Sequence, residues 1–203
     1  MNNFIEKFNF KRIFTYTEFL NYSKTKIETK SEESVDGKEK IYLEYSKINL
    51  VRSIRIQKSY KLNPELKQYF EKIEEKQIWL VITEDWCGDS AQNLPYIYKY
   101  VENHPKIDFK IVLRDENVDI LDQFYENGAG RGIPKIIIFT SSGKVLFKWG
   151  PRPAFAQNFV KELKQNGIES KTVNEKLHLW YARNKGKELE KELKNMLIKI
   201  SSV

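Results

Sequence analysis

From Asn63 to Gly167 the apolar positions fall into a regular series of short runs and helical stripes. "NPELKQYFEKIEEK" opens with Asn63 as a cap and Pro64 at the first helical position, a strong helix start. "QIWLVIT" and "IDFKIVL" are short apolar runs, the mark of buried strands. "SAQNLPYIYKYVEN" lies between them and reads as a helix containing Pro95, where a kink is expected. "NVDILDQFYENG" predicts a helix closed by Gly128. "IPKIIIFT" and "KVLFKWG", joined by "SSG", predict an antiparallel hairpin. "AFAQNFVKELKQNG" predicts a helix ending at Gly167. The order α-β-α-β-α-β-β-α implies right-handed parallel crossovers with an antiparallel edge.

The flanks read as helical. "YTEFLNYSKTKIE" predicts a helix capped by Thr17. The polar stretch through Asp36-Gly37 predicts a loop or a frayed helix end. Tyr42, Tyr45, Ile48, Val51 and Ile54 recur at helical spacing and predict an amphipathic helix, with a strand over "INLVRSIRI" as the alternative. From Lys171 the tail predicts a helix capped at Asn174 and broken at Gly186. Three segments follow: a helical extension over 1–60, an α/β domain over 61–169 with a mixed central sheet, and a helical extension over 170–203.

Composition changes this picture little. A chain of 203 residues that is 40% hydrophobic and 13% aromatic can bury a core. Net charge is +7, with +4 in residues 1–60, −1 in 61–169 and +4 in 170–203. The basic segments mix signs, as in "KGKELEKELK", so solvated helix faces are expected and nucleic-acid binding is not. No apolar run reaches the roughly 18 residues of a membrane span, and the N-terminus lacks the apolar run of a signal peptide. A single cysteine fits a reducing compartment, so a cytoplasmic location is expected.

That cysteine carries the candidate chemistry. "EDWCGDSAQ" places Cys87 between the first strand and its following helix, where free N–H groups and the helix dipole favour a thiolate. Glu84, Asp85 and Asp89 oppose ionisation. Ser90 lies one helical turn on, and its hydroxyl can donate to a thiolate but cannot attack a disulfide. At a strand–helix junction, a reactive and accessible thiol is expected rather than a buried one. His104 is expected exposed, His178 on a helix face, and Trp79 and Trp149 in packing. One cysteine and two distant histidines form no metal set, and no metal or resident cofactor is expected.

"DWCGDS" after the first strand, "RGIPKIII" before the third and Gly150 at the end of the hairpin together resemble the thioredoxin fold over about residues 63–167. "TEDWCGDSAQNLP", "LRDEN", "IPK" and "WGPRP" look closer to a bacterial branch of thioredoxin family proteins that carry helical extensions and a non-cysteine residue at the second motif position. The resemblance implies a cis-proline at Pro134 beside the nucleophile Cys87. It also implies a substrate site formed by Trp86, Gly88, Asp89, Ile133 and Pro134. Three departures weaken ordinary dithiol activity: Ser90 in place of a resolving cysteine, Asp89 in place of the motif proline, and Val81 in place of a buried aspartate.

Three functions remain open at this stage. The first is exchange by a single cysteine in a CxxS motif, released by glutathione or another external thiol, with Arg131 and Lys135 attracting an acidic ligand. The second is a redox-inactive binding module of the same fold, favoured if the extensions cover the sulfur. The third is a glutathione-dependent transferase. Partners of the first reading are protein or small-molecule thiols and disulfides. Oligomeric state is open.

Overall fold

The computed structural model describes residues 4–30, 37–125 and 130–201, which form two compact units, Met1–Pro151 and Arg152–Val203. The first contains α1 (Tyr16–Thr29), α2 (Gly37–Ser59), α3 (Pro64–Glu71), β1 (Gln77–Thr83), α4 (Gly88–Val101), β2 (Ile107–Leu113), α5 (Val118–Leu121), β3 (Lys135–Thr140) and β4 (Val145–Trp149). The second contains α6 (Ala154–Gln165), α7 (Ser170–Asn184) and α8 (Lys187–Ile200).

The strands form one sheet in the order β2-β1-β3-β4. β1 and β2 are parallel, with Gln77 opposite Ile107 and Thr83 opposite Leu113. β3 runs antiparallel to β1, and β4 antiparallel to β3. The expected second parallel crossover is therefore absent. The predicted helix after Asn117 is a single turn, α5, followed by a 3-10 turn at Asp122–Phe124. The chain then returns on the far side of β1 in the opposite direction. Gly128, the expected helix stop, lies outside the described residues.

This topology assembles the site. β1 ends where β3 begins, with Ile82 opposite Lys135, so the loop after β1 meets the segment before β3. All seven residues of β1 are buried, as a central strand covered on both faces requires. Ile78, Leu80 and Ile82 pack in one cluster with Val112, Leu121, Phe124, Ile133, Ile137 and Phe139, and Cys87 belongs to it. Ile5, from a 3-10 turn at Phe4–Phe8, is fully buried in the same cluster. Trp79, between these side chains in β1, meets Phe70 of α3 at 5.8 Å and donates to Gln77 Oε1 at 2.9 Å. Trp149 is buried as well, so both tryptophans serve packing as expected.

The flanks depart from expectation in instructive ways. α1 is capped by Thr15, not Thr17, in a capping box with Glu18. Phe14 pairs with Ile111 on the outer edge of β2, through two backbone hydrogen bonds of 2.8 Å. α2 is a helix throughout, yet its periodic apolar residues face outward: Tyr45, Ile48, Val51 and Ile54 are exposed, Val51 by 67%. The buried side is Leu43, Ser46, Asn49, Ser53 and Ile56. His104 is half-buried rather than exposed, its Nε2 2.9 Å from the Phe70 carbonyl.

In the second unit, Ala156 and Val160 of α6 pack with Val173, Leu177 and Tyr181 of α7. His178 lies half-buried on α7. α7 begins at Ser170, ahead of the expected cap Asn174, and ends at Lys185 and Gly186, both in the left-handed region. No helix among the described residues is long and apolar enough to cross a membrane.

Candidate functional site around Cys87

Cys87 is the N-cap residue of α4, and its backbone carbonyl accepts from Ala91 N at 3.2 Å. The Sγ–H donates to the carbonyl of Ile133 at 3.3 Å. The Ile133–Pro134 bond is cis, as the resemblance implied. Thus Cys87, Gly88, Asp89, Ser90, Ile133 and Pro134 come together at one end of the sheet. Ser90 is buried; its Oγ pairs with Thr83 Oγ1, and it also lends hydrogen bonds to the sulfur.

The thiol is not exposed. Cys87 keeps 7% of its surface, contrary to the sequence expectation of an accessible sulfur. The cover comes from the N-terminal helices. Tyr16, Phe19, Leu20 and Ser23 of α1 and Asn49, Leu50 and Ser53 of α2 line the same small cavity as Cys87, Ser90 and Leu94. Burial pushes the thiol up to about 11, and Asp89 adds to the shift; hydrogen bonds from Ser90 and the Asp89 backbone only partly offset it. Desolvation overrides the helix-start effect here because almost no water reaches the sulfur to solvate a thiolate charge.

The other motif residues are held by long-range contacts. Trp86 stacks on Tyr42 of α2 at 4.2 Å with the rings 9° from parallel, and Arg114 lies over its ring at 5.1 Å. Asp85, its side chain 1% exposed, accepts from Lys26 Nζ of α1 at 2.8 and 3.1 Å. Asn49 Nδ2 donates to the Asp85 carbonyl at 3.4 Å. Glu84 accepts from the Asp115 backbone N–H at 2.8 Å, and burial lifts its carboxyl to about 7. Arg131 pairs with Asp122 at 2.6 Å and lends its own carbonyl to Arg114.

Lys26 and Asp85 show how strongly the first helix is tied to the motif. Removing one member of a buried ion pair strands the other charge, which costs about 3–5 kcal/mol. Lys26→Met is expected to lower the unfolding free energy measured in urea by that order, and the double change with Asp85→Asn to recover much of the loss. Equal losses in the single and double variants would show that the pair does not hold the helix.

Sequence reasoning missed Tyr16, Lys26, Tyr42, Asn49 and Ser53. Ser46, Asn49 and Ser53 stand three and four residues apart, a run of small polar side chains on one helical face. That run was the available signal that α2 turns a polar face inward.

A cysteine at a helix start, facing the carbonyl before a cis-proline across a mixed sheet, defines a protein of thioredoxin-like α/β fold with helical flanks. A family model described as thioredoxin matches residues 37–164, and the chain belongs to that family. A protein of unknown function from Pseudomonas aeruginosa is similar over 100% of this chain and 99% of its own, at 18% identity and a TM-score of 0.64. An HIV epitope scaffold is similar over 99% of both chains, at 16% identity and a TM-score of 0.61. These likenesses show the fold. No curated protein matches the chain.

Proposed function

We propose that the protein carries out thiol–disulfide exchange through Cys87 alone, in a reducing, cytoplasmic setting. The observation that carries this reading is the sulfur's position, capping α4 and 3.3 Å from the Ile133 carbonyl. The Cys87 thiolate attacks a disulfide R–S–S–R′, forms Cys87–S–S–R and expels R′S⁻. With no second cysteine in the chain, an external thiol such as glutathione must then attack the mixed disulfide and return Cys87 to its thiol. A thiol of high pKa is little ionised, so the adduct is slow to form, and its thiolate is a poor leaving group, so the adduct is slow to be resolved. A cleft of about 390 Å³ beside Trp86, lined also by Lys26, Lys38, Tyr42, Glu84 and Asp115, is of a size to take a small thiol's polar part. Pro134, Ile133, Gly88, Asp89 and Trp86 would border the substrate.

A second reading, a binding module that keeps Cys87 as an unreacted thiol, is favoured by the 7% exposure of that residue. Incubation with oxidised glutathione separates the two. Exchange predicts a slow mixed disulfide on Cys87, absent in Cys87→Ser and removed by added thiol. A chain that stays unmodified over days, while its urea-unfolded form reacts, would leave the binding reading in place.

A further inference from the structure

We infer that the outer face of α2 docks a helix of a partner protein, one that carries acidic side chains beside its apolar stripe. The inference goes beyond the exchange chemistry of Cys87 and does not depend on it.

α2 is built with its polarity reversed. Its inward side includes Ser46, Asn49 and Ser53, while Ile41, Tyr45, Ile48, Val51 and Ile54 stand 50, 46, 48, 67 and 37% exposed. Half of the ten large apolar side chains exposed among the described residues therefore sit on this one element. Single exposed apolar residues are ordinary, but a group of them on one surface marks a contact with another molecule.

Their spacing fits the shape of a second helix. Tyr45, Ile48, Val51 and Ile54 follow one another every three residues. Such a row is one of the ridges that helices lay into each other's grooves. Each step of three also shifts the row by about 60° around the axis, so it runs obliquely across α2. A bilayer surface takes a stripe that stays on one side along the helix axis. A helix crossing α2 at an angle packs on an oblique row.

Charge sets the chemistry of the partner. α2 carries six Lys and Arg against two Glu. Lys40, Arg55 and Lys58 are exposed, as is Glu44, and Glu39 pairs with Lys30 of the loop before α2. A surplus of +4 attracts an acidic helix and repels a second copy of the same face. No other face of a second copy supplies the acid: among the described helices of eight residues or more, none is more acidic than α3, at −1.

The test is fluorescence anisotropy with the full chain and a labelled peptide of three heptads. The peptide has Leu at a and d and Glu at e and g, where like charges oppose self-pairing. Binding is expected to weaken about tenfold in Val51→Asp, and as much in the double variant Arg55→Glu with Lys58→Glu. All three side chains are exposed, so circular dichroism and the urea midpoint should stay native. A peptide with Lys in place of Glu should bind the native chain about tenfold more weakly, yet bind the charge-reversed variant more tightly than the acidic peptide does. Equal binding of the two peptides, an affinity that Val51→Asp leaves unchanged, or no binding at all would overturn the inference. Binding to phosphatidylglycerol vesicles without binding to the peptide would overturn it in favour of a membrane surface. A dimer in sedimentation that Val51→Asp dissolves would overturn it in favour of a second copy. Failure of exchange with oxidised glutathione would remove the proposed activity and leave this surface standing.

Discussion

Gly150→Ala is expected to unfold much of the native population, or leave a fold that no longer holds Pro134. Gly150 has φ +116°, a region that side chains strain to enter. A Cβ there would lie 2.1 Å from the Pro134 carbonyl oxygen and 3.1 Å from its carbonyl carbon. Both obstacles are backbone, so no rotamer change relieves them. Backbone strain of about 1–3 kcal/mol and overpacking of similar size together approach the whole stability of a small domain. Urea denaturation measures this directly, with Gly130→Ala as the control. A Cβ at Gly130 meets nothing within 4 Å, so that change should stay within about 1 kcal/mol. A native midpoint for Gly150→Ala would mean that β4 does not press on the Pro134 backbone as described.

The second large effect is chemical. At pH 7 a thiol of pKa about 11 is about one part in ten thousand ionised, against about 3% for an ordinary cysteine of about 8.5. Alkylation of Cys87 should therefore run about 300-fold slower than that of a free thiol, before any hindrance from the covering helices. The rate should keep rising with pH to a midpoint near 11. Asp89→Asn removes a negative charge that opposes the thiolate, so it should lower the midpoint and speed the reaction at every pH below it. A midpoint near or below the free value of about 8.5 would show that the helix start, not burial, governs the sulfur.

Much of the central fold was legible because its signals are local. β1 and β2 coincide with two continuous apolar runs, and α3 starts where Asn63 and Pro64 say it should. The resemblance to thioredoxins implied that Cys87, Ile133 and Pro134 lie together, and they meet in space. The direction of β3 was not legible, because a one-turn α5 and a true crossover helix begin alike in sequence. The burial of Cys87 was not legible either. It depends on contacts such as Lys26 with Asp85, 59 positions apart, and on which side of α2 faces inward. There the apolar residues mislead, since hydrogen-bonding side chains, Ser46, Asn49 and Ser53, occupy the covered face.

That inward polar face also sets a clock. A helix seated by Leu43 and Ile56 but also by serine and asparagine side chains gives up less apolar burial when it lifts than β1, whose seven residues are all buried, so it opens at a lower free energy than the strand. Amide protons along α2 should exchange with solvent well before those of β1. Any disulfide too bulky for the 10 Å³ cavity meets Cys87 only during those openings. The pace of the proposed chemistry would then follow the breathing of a helix 28 to 50 residues upstream of the sulfur.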